Sequence, residues 1–170
     1  MAKTQPQTIE FADMAPYQVS ASHTCPAPAS AVFAVLKDNA TAADWLGWYV
    51  TSTKSTSNPE EGVGSTRRVV WLYGLGKLQE RFIGWEEAAL WSFTTTDFRP
   101  GIISKFVERV RLEPIDDTSC RIVYRAAFDL TRPGKLLARP LTGFFNRAIG
   151  PTLQRMSEAA VAQHKGAVNG

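Results

Sequence analysis

The sequence predicts an α+β domain in which a curved antiparallel sheet of six to seven strands wraps around one long C-terminal helix. One observation is a stripe of apolar side chains at helical spacing between Thr131 and Lys165. The other is the preceding stretch of roughly a hundred residues, in which apolar and polar side chains alternate between closely spaced turns. Because a helix with one apolar side needs an apolar surface to cover it, we expect it to lie in the curve of the sheet, with a pocket between them.

Composition and charge are those of an ordinary globular protein. The chain has 170 residues, of which 44% are hydrophobic and 21% are charged, and this suits a single domain. The formal net charge is only +3, and the basic residues alternate with apolar ones on predicted strands, which is typical of a solvated sheet face and not of a nucleic-acid interface. Neither a signal peptide nor a membrane-spanning helix is expected, since no leader-like or 18-residue apolar run occurs.

Metal and cofactor chemistry are not expected from the motifs. Cys25 and Cys120 are too far apart in the sequence for a zinc knuckle and have no second pair, so they are expected to be reduced core or edge residues in a cytoplasmic protein. The chain also contains no P-loop, no dinucleotide fingerprint and no paired-histidine metal motif. The sequence therefore predicts a protein without a metal or an organic cofactor.

One domain is expected, with a flexible segment at each end. Residues 1–14 are polar apart from Ile9 and Phe11, so they are expected to be either frayed or a short addition to a sheet edge. The domain itself is expected over residues 15–165. Residues 166–170 are then a flexible tail.

The strands are predicted from alternation and from turn residues between the alternating segments. Two short helices are expected after the first strand, around residues 32–36 and 41–45. Short connections favour sequential antiparallel neighbours. The seven expected strands are 17–25, 48–57, 65–73, 77–85, 90–96, 103–113 and 120–130.

Two prolines fall within the apolar stripe of the long helix. Pro140 and Pro151 each remove a backbone hydrogen bond, which predicts a kink or break near Gly150 and Pro151. A straight helix is then expected from residue 151 to about residue 165. The preceding segment 134–149 is bulky and looser, and it is expected to act as a lid over the pocket mouth.

The order of one strand, two short helices, six strands and a long helix is the helix-grip arrangement. Between about Tyr17 and Gln163 the chain resembles the START-like (SRPBCC) superfamily, specifically its polyketide cyclase/dehydrase and lipid-transport-like group. The resemblance is carried by the segments 28–33, 44–45, 62–64, 78–85 and 90–93.

This resemblance implies a hydrophobic cavity that accepts lipids, sterols, hormones or polyketides. In hormone receptors of this fold two loops close over the ligand, and the equivalent loops here are residues 73–76 and 98–102. Their glycines suit hinged flaps, although ordinary tight turns fit the same residues.

A carboxylate on the inward face of a strand is the best candidate for chemistry. Glu108 is in phase with Phe106 and Val110, so it should be desolvated and its pKa should rise. This makes Glu108 the candidate general acid or base. The alternative is a salt bridge at the rim of the sheet.

Three further polar residues are in phase with apolar neighbours on other strands, namely Arg67, Glu80 and Tyr124. If they converge with Glu108, they would form a polar spot that orients a ligand carboxylate or carbonyl, or that moves protons in an aldol-type cyclisation. A slip of one residue at a bulge would replace Arg67 by Arg68 and Glu80 by Arg81.

Aromatic and aliphatic side chains on the same faces are expected to complete the cavity wall. Outward-facing Trp85 or Trp91 would instead indicate a partner or dimer surface. The expected lining residues are Trp71, Tyr73, Phe82, Phe106, Tyr124 and Phe128 from the strands, and Leu141, Phe144, Phe145, Leu153 and Met156 from the helix.

The sequence thus favours a protein that binds a small hydrophobic ligand, as a carrier or sensor. A polyketide cyclase or aromatase-like enzyme that uses Glu108 is the first alternative, and an interaction protein with a filled cavity is the second. No nucleic-acid partner and no integral membrane association are expected, and a homodimer is left open.

Overall fold

A computed structural model describes residues 2–47 and 49–168 of the chain. Trp48, the predicted start of the second strand, lies outside these described residues. The strands are β1 (Ala2–Lys3), β2 (Tyr17–Cys25), β3 (Val50–Ser55), β4 (Thr66–Trp71), β5 (Gly76–Glu86), β6 (Leu90–Arg99), β7 (Ile103–Asp116) and β8 (Ser119–Leu130). The helices are α1 (Phe11–Met14), α2 (Ala29–Lys37), α3 (Ala42–Leu46) and α4 (Ala138–Val168), with 3-10 turns at Leu72–Gly74 and Pro133–Leu137.

Seven strands form one antiparallel sheet in the order β2-β8-β7-β6-β5-β4-β3, and the short β1 pairs with β6. Every strand from β3 to β8 pairs with its neighbour in the chain, as the short connections predict. Helix α4 covers the concave face and buries Leu153, Met156 and Ala160. The predicted α+β helix-grip fold is therefore confirmed, with β1 as a small addition. None of the described helices is long and apolar enough to cross a membrane.

Helix α4 continues through Pro151, so the structure contradicts the break in the predicted 'kink or break', while a kink stays a prediction. Pro140 is the third residue of the helix, where its missing N–H group would have no intrahelical partner in any case. At Pro151 the tertiary contacts hold the helix, because Thr152 and Leu153 are buried beside it. The Thr152 hydroxyl also lies 2.9 Å from the carbonyl oxygen of Ala148, to which it donates within this turn.

The N-terminal residues occupy the gap where β6 and β7 diverge. Pairing between β6 and β7 ends at Thr94 and Val107. Beyond this point Ala2 is paired with Phe98, and the Thr4 hydroxyl donates to the carbonyl oxygen of Thr95 at 2.6 Å. Of the two alternatives for the first fourteen residues, the structure thus has the addition to the sheet; their flexibility stays a prediction.

Helix α1 covers the outer face of the sheet through two ion pairs of Asp13 and a small apolar cluster. Phe11 and Ala12 pack on Val107. Arg109, whose side chain is 8% exposed, donates two hydrogen bonds to the Asp13 carboxylate at 2.7 and 2.8 Å, and Arg125 donates a third. The predicted solvated face is therefore partly covered, and the Arg109 contact lowers the pKa of Asp13.

Replacing Asp13 by alanine is expected to lower the free energy of unfolding by about 1.5 to 3 kcal/mol, because a buried guanidinium loses its charged acceptor. Chemical denaturation at pH 7 measures the loss. The matched control is Glu113→Ala, which removes an exposed ion pair with Arg121 at 3.9 Å and should change stability by less than about 0.5 kcal/mol. Equal effects of the two substitutions would contradict a structural role for α1.

Candidate functional site

A cavity of about 310 Å³ lies between the sheet and α4. Most of its wall is apolar, and both layers of the fold contribute to it. Its lining residues are Trp45, Leu46, Tyr49, Val50, Arg67, Val69, Trp71, Leu72, Leu78, Glu80, Phe93, Phe98, Phe106, Glu108, Tyr124, Leu141, Phe144, Phe145, Ala148, Ile149, Thr152 and Met156.

Arg67 and Glu80 form a buried ion pair in the sheet wall of the cavity. They are direct partners on β4 and β5, and the Arg67 Nε lies 2.6 Å from the Glu80 Oε2. The guanidinium also donates to Asn39 Oδ1 at 3.3 Å and stacks on the rings of Phe82 and Trp91. Burial raises the pKa of Glu80, and the adjacent Arg67 opposes that rise. Arg67 is thus paired with Glu80 and Asn39, two groups of the protein itself.

Glu108 and Tyr124 form a second polar pair, on the neighbouring strands β7 and β8. The Tyr124 hydroxyl donates to Glu108 Oε2 at 2.7 Å. Burial raises the pKa of Glu108 to about 8, although the Tyr124 hydrogen bond lowers it, and burial also raises the pKa of Tyr124. Glu108 is therefore mainly protonated at neutral pH. Its second oxygen has no partner among the described residues, and Glu108 lines the cavity.

Replacing Tyr124 by phenylalanine is expected to raise the pKa of Glu108 further above about 8, because the lost hydroxyl stabilises the carboxylate. A carbon NMR titration of labelled glutamate measures this, with the resonance assigned by its absence in Glu108→Gln. Tyr17→Phe is the matched control, because Tyr17 stacks on Phe128 and does not line the cavity. An unchanged or lower pKa in Tyr124→Phe would show that the hydrogen bond does not set the protonation of Glu108.

The two pairs lie close enough to form one polar cluster in the cavity wall. Glu80 raises the pKa of Glu108 and Arg67 lowers it, so their charges act on each other across the strands. A slip of register by one residue does not occur at these positions. Arg67 and Glu80 are buried, whereas Arg68 and Arg81 are exposed. The bulges in the β5 and β6 pairing fall between Gln79 and Glu80 and after Phe82.

Most of the residues predicted for the site line the cavity, and four do not. Those in the wall are Arg67, Trp71, Glu80, Phe106, Glu108, Tyr124, Leu141, Phe144, Phe145 and Met156. Phe82, Phe128 and Leu153 are buried in the core beside it. Tyr73 is 87% exposed, because β4 ends at Trp71 and Tyr73 adopts a left-handed backbone with φ 52°, so strand alternation no longer applies to it. The roles of all these predicted site residues in ligand binding stay predictions.

Several lining residues were not predicted from the sequence. Tyr49 and Thr152 contribute polar groups, and Phe98 contributes an aromatic ring. The sequence predicts a loop at Phe98, but β6 runs three residues beyond its predicted end and includes it. The bulge between Trp91 and Phe98 interrupts the alternation that would have indicated this. Trp91 itself is buried, and Trp85 packs on Phe82, so neither marks the outward surface that would indicate a partner.

A metal ion would need several His, Cys, Asp or Glu side chains in one group. Among residues 2–47 and 49–168, no three His, Cys, Asp or Glu side chains come together in such a group. The carboxylate of Glu80 is instead paired with Arg67, and the carboxyl group of Glu108 accepts a hydrogen bond from Tyr124. The polar cluster is thus suited to hydrogen bonding and proton transfer.

Fold and site together define a helix-grip protein with a largely apolar cavity and a polar cluster in its wall. The chain belongs to the polyketide cyclase/dehydrase and lipid transport family, whose model matches residues 16–168. Uncharacterised proteins of Mycobacterium tuberculosis and Mycobacterium bovis are 27% identical to it in an alignment 158 residues long, which covers 91% of this chain and 92% of each relative.

Solved structures share the fold at low sequence identity. The Zhui aromatase/cyclase from Streptomyces sp. R1128 has a TM-score of 0.74 and 18% identity, over 89% of this chain and 97% of that one. Norcoclaurine synthase from Thalictrum flavum, in complex with dopamine and hydroxybenzaldehyde, has a TM-score of 0.66 and 13% identity, over 95% and 96% of the two chains. At these identities the similarity concerns the fold.

Proposed function

We propose that the protein binds one small hydrophobic molecule in the cavity between the sheet and α4, as a carrier or sensor. The observation that carries the proposal is the cavity itself, about 310 Å³, with a mostly apolar wall that includes the polar cluster. Ligand pockets have this composition, because apolar area supplies affinity and a few polar groups fix orientation. The family and its lipid-transport description support the same class of ligand.

The size of the cavity favours a ligand of two or three rings or a short chain. Ligand pockets span about 300 to 1,000 Å³, so this one is at the small end. Leu141, Phe144 and Phe145 of α4 form part of the wall, and Phe144 is 43% exposed at the surface. We expect this part of α4 to move when a ligand enters, in keeping with the lid predicted for residues 134–149.

Titration with an uncharged naphthyl-ketone dye tests the proposal. Trp45 and Trp71 line the cavity, so a bound dye should quench them by energy transfer, with saturation at one dye per chain. Fatty acids, sterols and aromatic polyketides are then compared as competitors. Ala148→Phe fills the cavity and should abolish binding, whereas Ala162→Phe on the exposed side of α4 should not. Saturable binding that survives Ala148→Phe would place the ligand elsewhere.

A second candidate function is catalysis of an aldol-type cyclisation with Glu108 as acid or base. The raised pKa of Glu108, about 8, favours it, because such a group exchanges protons readily near neutral pH. Glu108→Gln should then stop exchange of the hydrogens beside the carbonyl of a bound ketone in heavy water, followed by NMR, while the ketone still binds. Equal exchange in both proteins would remove Glu108 from the mechanism.

The interaction-protein alternative has less support, since the aromatic side chains leave a cavity open. A homodimer and a cytoplasmic location remain predictions. Sedimentation at several protein concentrations would detect the dimer.

A further inference from the structure

We infer that the cavity selects an uncharged ligand with a hydrogen-bond acceptor, such as a ketone, and rejects the carboxylate of the same shape. This inference rests on the proposed function, because it names the ligand class of the same site. It decides between the two ligand groups, carboxylate and carbonyl, that the polar cluster was expected to orient.

The charges in the cavity wall disfavour a ligand carboxylate. Arg67 is the only cationic residue in the described lining of the cavity. Its Nε is held by Glu80 at 2.6 Å, a second nitrogen is held by Asn39, and its flat face lies on aromatic rings. Arg155, on the neighbouring surface of α4, donates to the carbonyl oxygen of Trp45 at 3.1 Å. A ligand carboxylate would therefore have to compete with Glu80 for the only cation in the described lining.

The carboxyl group of Glu108 also favours an uncharged hydrogen-bond acceptor over an anion. Its Oε2 accepts from Tyr124, and its other oxygen has no partner among residues 2–47 and 49–168. Because the pKa of Glu108 is about 8, this oxygen can carry the proton at neutral pH and donate a hydrogen bond to a ligand. An ionised Glu108 would repel a carboxylate, so neither protonation state offers an anion a favourable charge partner.

Burial of a charged ligand group in this cavity is also unfavourable. The remaining wall is dominated by apolar side chains such as Phe93, Phe106 and Phe145. Moving an ion into such surroundings without a partner is much less favourable than moving a carbonyl that accepts one hydrogen bond. The same argument disfavours an amine, which would have to form a buried ion pair with Glu108 and displace its proton.

Four naphthalene probes of nearly equal shape test the inference by calorimetry at pH 6.5. They are naphthalene, 2-acetylnaphthalene, 2-naphthoate and 2-naphthylmethylamine. The ketone is expected to bind most tightly, with a dissociation constant about 30-fold or more below those of the carboxylate and the amine. Naphthalene should bind between these extremes, since it fills the apolar part alone.

Two variants assign the selectivity to the residues named. Glu108→Leu should remove the advantage of the ketone over naphthalene, about tenfold, so that the variant binds the two probes with similar dissociation constants. Glu80→Gln releases Arg67, so it should improve binding of naphthoate about tenfold and make naphthoate raise the melting temperature of the variant. Glu108→Leu keeps the test decisive where Glu80→Gln does not fold.

The outcomes separate the inference from the proposed function. Binding of the ketone and of naphthalene with rejection of naphthoate supports both. Naphthoate or the amine binding as tightly as the ketone overturns the inference and leaves the cavity as a binding site. No binding of any probe, including naphthalene, by folded protein overturns the proposed function, and the inference fails with it.

Discussion

Replacing Glu80 by alanine is expected to lower the free energy of unfolding by about 3 to 5 kcal/mol, the largest effect of any single substitution considered. The reason is that Arg67 is 1% exposed and stays charged, so it is left buried without its counter-ion. Arg67 keeps its contacts with Asn39, at 3.3 Å, and with the rings of Phe82 and Trp91. These contacts compensate only part of the lost ion pair. Denaturation by urea at pH 7 measures the change.

The double substitution Arg67→Met with Glu80→Leu is the informative control for this pair. It removes both charges and fills the same space with apolar atoms, so it is expected to be close to wild type or more stable. A double variant as unstable as Glu80→Ala would show that the pair contributes net stability. A Glu80→Ala protein within about 1 kcal/mol of wild type would show instead that water reaches the Arg67 guanidinium.

The stability of the wild type is expected to fall, relative to Glu108→Gln, as the pH rises from about 5 to about 8. The pKa of Glu108 is about 8 in the folded protein and 4.5 ordinarily. Between these values the unfolded chain loses a proton that the folded chain keeps, so the folded state is progressively disfavoured. The slope is at most about 1.4 kcal/mol per pH unit, or about 5 kcal/mol in total, and water in the cavity reduces it.

Denaturation curves at pH 5, 6, 7, 8 and 9 for both proteins give this difference. Comparison with Glu108→Gln cancels the titration of all other groups that the two proteins share. Glu113→Gln is the control, because Glu113 is 53% exposed and lies outside the cavity. Parallel curves for wild type and Glu108→Gln would mean that Glu108 is ionised throughout the range.

Local pattern was sufficient to predict much of the candidate site. Side chains alternate across an extended strand, so the phase of each strand placed Arg67, Glu80, Glu108 and Tyr124 on the inward face without knowledge of their partners. The prediction failed for Tyr73 because alternation holds only while the backbone is extended, and the chain turns after Trp71. The longer β6, with its bulge, hid Phe98 for a related reason.

What the sequence by itself determined is the order of elements, the antiparallel sheet and the residues that face the helix, because these follow from periodicities within short segments. The tertiary structure alone decided that Glu80 is paired with Arg67, while Glu108 is paired with Tyr124 and keeps one oxygen free. It also decided that α4 passes through Pro151 intact. Partners on different strands are set by register across the sheet, and burial by the layer above it, and neither is a property of a local segment.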